Sequence, residues 1–209
     1  MTTAIALSSI QRITLEVPDA AAATAFYAEA FGLGDDLAIR QSDAPSSGFR
    51  GFTLSLVVPQ PSTADALYSA AIEAGATAVK PVKKSFWGYG GSLQAPDGTI
   101  WKIATSSKKE TGAPSGQIDE IVLLIGAGDV KASKRFYEAR GFGVDKSFGS
   151  KYVQFEDGGS RLKLALYSRP ALAKDAGVPA DGSGSHRLAI QTGAGAFTDP
   201  DGFVWEPAA

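Results

Sequence analysis

The sequence predicts an α+β protein built from two related halves, and three observations carry the prediction. A short stretch occurs twice nearly unchanged, as APDGTIWK at 95–102 and DPDGFVWE at 199–206. An apolar run followed by a helix-like run carrying Phe-Tyr also occurs twice, RITLEV with DAAAATAFYAEAF in the first half and EIVLLI with DVKASKRFYEAR in the second. The strand, the Phe-Tyr pair and the closing turn recur at similar separations, from 12 to 120, from 26 to 136 and from 102 to 206, which means duplication with small insertions.

The elements follow in chain order. RITLEV at 12–17 reads as a strand, and the helix after Pro18 opens with Asp19 as its N-cap, a carboxylate placed to accept from the free N–H groups of the first turn. FTLSLVV at 52–58 is the next strand. STADALYSAAIEAG at 62–75 is a second helix, with Ser62 and Asp65 spaced as a capping box, Leu67, Ala70, Ala71 and Ala74 on one face, and Gly75 as its stop. KSFWGYGG at 84–91 sets Phe86, Trp87 and Tyr89 among glycines, as an aromatic wall for a flat ligand or as core packing around a tight turn. Lys80, Lys83 and Lys84 read as a solvated face.

In the PDG turn, Pro fits the first central position, Asp the second, and Gly the left-handed position that follows, so each copy is a hairpin leading into a final strand. Side chains alternate along that strand, so Trp101 and Lys102 point oppositely, as do Trp205 and Glu206. With the tryptophan under a helix, the charge faces whatever the sheet curves around, where it must be paired or functional. TSSKKETGAPSGQ at 105–117 has linker composition, which gives a first domain at 1–105, a linker at 106–117 and a second domain at 118–209. In the second half, EIVLLI is followed by a helix capped by Asp129 and stopped at Gly141.

Composition excludes several function classes. With 209 residues and 44% of them hydrophobic the chain has the material for packed cores, and 20 basic against 22 acidic residues build no basic field for nucleic acid or an anionic membrane. No run is long and apolar enough to span a bilayer, and the N-terminal stretch lacks the pattern of a secretory signal, so a cytoplasmic location is expected. There is one histidine and no cysteine, so any metal must be held by oxygen and imidazole nitrogen. No phosphate-cradling loop is present, and no feature sets a serine beside His186.

A strand, an Asp seven residues before Phe-Tyr, a Gly, and a closing DPDG strand that ends in Glu together resemble the vicinal oxygen chelate superfamily, which includes glyoxalases, bleomycin-resistance proteins and extradiol dioxygenases. The resemblance covers nearly the whole chain. It implies β-α-β-β-β modules whose mixed sheets pair into cups, two tandem glyoxalase-like halves in all. The metal-dependent members hold a divalent ion on a His of the first strand, a His of the middle strand and a Glu of the last. Carried over, those positions are Arg12, a residue near Thr53, and Lys102 in the first copy; they are Glu120, His186 and Glu206 in the second. From position 186 to 206 the second copy is shorter than the first, from 53 to 102, by roughly 29 residues, the length of a helix, two short strands and their turns. The last module is therefore truncated, and the strand edges it leaves make a homodimer a candidate arrangement. Residues 169–185, RPALAKDAGVPADGSGS, read as a short helix and Gly-rich loop able to gate the second cup, or as an ordinary connector.

Two pairings of the modules remain open. If adjacent modules pair, Arg12 and Lys102 share a basic cavity, while Glu120, His186 and Glu206 share one that needs a cation such as Mn, Fe, Ni or Zn. If modules exchange between halves, Arg12 meets His186 and Glu206 and Lys102 meets Glu120, so every charge gains an opposite partner and the metal is dispensable. That complementarity favours a small-molecule binder without metal or other cofactor, its ligand oriented by Arg12, Lys102, Trp87 and Tyr89. The alternatives are a divalent-metal-dependent lyase, isomerase or dioxygenase of the glyoxalase type, using Glu120, His186 and Glu206, and an interaction scaffold with no ligand.

Overall fold

The computed structural model describes residues 8–34, 37–86 and 88–208. The first module comprises β1 (Ile10–Val17), α1 (Ala20–Phe31) and β2 (Leu37–Gln41), followed by a short β3 (Ser46–Gly48). The second is β4 (Phe52–Val57), α2 (Pro61–Glu73), β5 (Thr77–Ser85), β6 (Gly88–Gln94) and β7 (Ile100–Thr105). The third is β8 (Glu120–Ala127), α3 (Val130–Glu138), β9 (Val144–Ser147), β10 (Tyr152–Phe155) and β11 (Leu162–Ser168). After α4 (Arg169–Ala176) and β12 (Gly182–Gly184), the fourth module has only β13 (Leu188–Thr192), β14 (Phe197–Thr198) and β15 (Val204–Pro207). No described helix connects β13 to β14, which is the truncation that the short interval predicts.

Local chemistry sets the helix ends. Asp19 accepts from the N–H of Ala22 at 2.9 Å and Asp129 from Lys131 and Ala132, so both expected N-caps form. The expected capping box of α2 does not. Pro61 opens that helix and supplies no N–H, the Ser62 hydroxyl donates to Glu110 at 2.6 Å, and Asp65 accepts from the Tyr89 hydroxyl at 2.6 Å. Distant partners outcompete the local box. Gln60, just before the helix, accepts from the N–H groups of Thr111 and Gly112, which ties the segment between the halves to α2.

The halves interleave. A five-stranded sheet runs β14-β15-β13-β1-β2, and an eight-stranded sheet runs β5-β6-β7-β4-β8-β11-β10-β9. Antiparallel pairing of β1 with β13 joins the first module to the fourth, and that of β4 with β8 joins the second to the third. Of the two pairings left open by the sequence, this is the exchanged one. One face of each sheet carries the core: Ile13, Leu15, Leu54, Leu56, Leu123 and Ile125 are at most 1% exposed. Trp101 and Trp205 lie in that core while Lys102 and Glu206 stand on the opposite face, as the alternation requires.

The repeated motif turns out to be a latch between helix and turn. Tyr27 of α1 donates its hydroxyl to the Asp97 carboxylate at 2.9 Å and receives the Trp101 indole N–H at 3.3 Å. In the second half, Tyr137 of α3 donates to Asp199 and packs its ring edge-on against Trp205, 5.4 Å between centroids. Burial, reinforced by Asp97 and Asp199, holds both tyrosines neutral by pushing their pKa well above the usual value. The turn between them needs its glycine. Gly98 and Gly202 have φ of 89° and 90° and close the turn by donating to Ala95 and Asp199. The Phe-Tyr and PDG repeat therefore serves folding in both halves.

Candidate functional site

The eight-stranded sheet forms the larger cup, and the chain packs one of its own helices onto it. α4 leaves the end of β11 and lies across the concave face, where Leu172 and Ala173, 0% and 1% exposed, pack on Phe49, Leu124 and Ala165. Polar ties fix its far end. Lys102 on β7 pairs with Asp175, the Ser92 hydroxyl donates to the Ala176 carbonyl at 2.6 Å, and the Lys80 ammonium donates to the carbonyls of Lys174 and Asp175 at 2.7 Å each. Those carbonyls close the helix C-terminus, where the dipole favours a cation. Lys80, expected on a solvated face, is thus a helix cap. Within segment 169–185 the helix is therefore a packed plug, while Gly182–Gly184 form an exposed strand paired with β3.

Beside this plug a groove of about 310 Å³ remains, lined by Lys80, Lys83, Tyr89, Lys102 and Asp175 with the glycines of β6. Two of the expected ligand residues, Lys102 and Tyr89, therefore border one space. Trp87 lies outside the described residues. The Tyr89 hydroxyl is turned to Asp65, whose hydrogen bond pushes the phenol up to about 12. Lys102 and Lys80 already have partners in α4, which leaves Lys83 as the exposed cation of the groove.

The smaller cup is that of the five-stranded sheet, and its central feature is Arg40 on β2. One guanidinium nitrogen, Nη2, donates to Glu16 at 2.7 Å and to Glu206 at 2.9 Å, reaching past β1 and β13 to meet β15. Arg12, expected as the partner of Glu206, is exposed instead: it lies level with Glu206, one strand away across Gln191 of β13, but Arg40 already takes that carboxylate. Lys102 meets Asp175 rather than Glu120. Glu120 is bound by Lys163 of the neighbouring β11 at 2.7 Å, and that bond holds the Lys163 pKa above its usual value.

His186 has a structural setting. Its Nδ1 faces the Arg50 carbonyl and its Nε2 the Asp201 carbonyl at 3.1 Å, and the ring stacks on Phe203 at 3.9 Å. Arg50 is its counterpart in the first half. Each stands two residues before the opening strand of its module, and each bonds the carbonyl of the Asp in the PDG turn, Arg50 to Asp97 and His186 to Asp201. The internal repeat could have located Arg50, since the PDG copies align the two turns; the sequence reading set His186 against Thr53 instead.

The metal often held by this kind of cup does not fit these residues. Glu120 and Glu206 stand in different sheets, both His186 nitrogens face carbonyl oxygens, and a guanidinium occupies the space between Glu16 and Glu206. Among the described residues no three His, Cys, Asp or Glu side chains gather. The arrangement offers cations and an apolar wall at the edges of a plugged cup.

The chain has the vicinal oxygen chelate fold. It is similar to glyoxalase I from Zea mays, with a TM-score of 0.62 and 15% identity over 95% of this chain and 91% of that one. It is similar also to a candidate dioxygenase from Bacillus subtilis subsp. subtilis str. 168, with a TM-score of 0.61 and 13% identity over 96% of this chain and 84% of that one. No family model matches the chain, and no curated protein does. Identities this low carry the fold and leave the activity to be argued from the site. No described helix is long and apolar enough to cross a membrane.

Proposed function

We propose that the protein binds a small organic anion without a metal ion, in the groove between β6, β7 and the end of α4. One observation carries the proposal: a groove of about 310 Å³, within the usual size of a ligand site, lined by three lysines against the single carboxylate of Asp175. An anion entering there gains Lys83 directly and competes with Asp175 for Lys102, so binding and the seating of α4 are linked. Support for metal independence comes from Arg40, whose fixed charge bridges the Glu16 and Glu206 carboxylates and offsets one of their two charges. The glyoxalase-type enzyme reading lacks a gathered set of ligands to support it. In this reading Arg12 is a solvated surface charge.

Calorimetric titration of benzoate and phenyl phosphate into the wild type and Lys102→Met tests the proposal. We expect 1:1 binding that weakens by about 5- to 10-fold in the variant, the effect of one lost charge-assisted contact. Equal affinity in both proteins, or no heat from either probe in either protein, would sink it.

A further inference from the structure

A second cavity lies at the opposite end of the same strands. It measures about 270 Å³ and is bordered by Phe49, Phe52, Ile100, Val178 and Pro179, with Arg50 as its cation. The setting of that arginine is unusual. Its Nη2 donates to the Asp97 carbonyl, but its Nη1 is buried without a hydrogen-bond partner. Among the described residues no carboxylate is within ion-pair distance of it; Asp97, whose carbonyl it bonds, spends its carboxylate on the Tyr27 hydroxyl and the Thr99 N–H. Buried guanidinium groups are ordinarily paired, because an unpaired charge or donor removed from water is costly.

Arg50 is the one cation and Asp181 the one acid among the described residues that border the cavity. Asp181 at its edge is exposed, its main-chain carbonyl being engaged by the Phe49 N–H. Burial lowers the Arg50 pKa from its ordinary value, Asp97 opposes that, and the charge of Arg187 adds to it.

We propose that this cavity is a binding site for a small monocarboxylate with an apolar tail, whose carboxylate draws the Arg50 guanidinium, its Nη1 unpartnered in the free protein, out to the cavity wall while the tail lies among Phe49, Phe52, Ile100, Val178 and Pro179. A bidentate guanidinium–carboxylate contact with an aliphatic body is the chemistry that this lining matches. The site is distinct from the lysine groove, and it closes on the segment that follows α4.

Hexanoate is the probe, titrated by calorimetry into the full chain. With the lysine groove weakened by Lys102→Met the protein should retain one equivalent in this cavity, and adding Arg50→Lys to that variant should weaken it by about 10-fold because the fork is lost while the charge remains. Val178→Trp, added to the same variant, fills the cavity without touching Arg50 and should abolish binding while far-ultraviolet circular dichroism and the melting curve stay those of a folded protein. The proposal is overturned if hexanoate fails to bind the wild type, if adding Val178→Trp leaves binding unchanged, or if Lys102→Met alone removes it, which would assign the carboxylate to the lysine groove.

Discussion

Replacing Arg40 by alanine should turn the five-stranded cup into a weak divalent-cation site. The Glu16 and Glu206 oxygens meet one nitrogen at 2.7 and 2.9 Å. They therefore lie within about 5.6 Å of each other, and without Arg40 their repulsion is about 3 kcal/mol at an effective dielectric of 20 and under about 1 in bulk water. Arg40, Glu16 and Glu206 are 45%, 21% and 29% exposed, so the lower end applies, about 1 kcal/mol lost. A divalent ion at about ten times its Kd would restore about 1.4 kcal/mol, or about 3–6 °C in a chain of this size. The assay is thermal unfolding of wild type, Arg40→Ala and Arg40→Ala/Glu206→Gln, each with EDTA and with added Mn or Zn. The single variant alone should gain stability from metal. An equal gain in the wild type would refute the argument that the guanidinium holds the cation's place, as would a variant that ignores both ions.

Other predictions follow from the same structure. Tyr137→Phe should cost about 1.5–3 kcal/mol at neutral pH, the value of a hydrogen bond to a charged group, measured by urea denaturation. Because Tyr27 and Tyr137 have pKa values raised by burial, their contribution is full below about pH 10 and is lost as pH rises toward the folded values, so wild-type stability should fall above about pH 10 and fall less steeply in Tyr137→Phe. Leu172→Ala should cost about 2–5 kcal/mol, since the plug is packed as tightly as the core, whereas Asp175→Asn, whose pair with Lys102 reaches solvent, should cost under about 1. His186→Ala should destabilise by about 1–3 kcal/mol equally with and without EDTA, as the loss of two carbonyl contacts predicts; a loss seen only when metal is present would contradict its structural role.

The sequence by itself determined the duplication, the α+β class, the N-caps at Asp19 and Asp129, the glycine-closed turns at Gly98 and Gly202, the truncated last module, and which of Trp101 or Lys102 and Trp205 or Glu206 faces the core. Each of these depends on residues a few positions apart, or on the recurrence of such a group, and short-range sterics and hydrogen bonding act there with little competition. Which charges meet was decided only by the tertiary structure. Arg40 reaches Glu206 across two strands because the sheet curves, Lys102 finds Asp175 because α4 folds back into the cup, and Asp65 leaves its expected cap for Tyr89. Long polar side chains have many partners of nearly equal worth, so sheet order and curvature select among them; the interleaving of the halves is itself fixed by burial summed over both sheets, a quantity no single stretch of sequence contains.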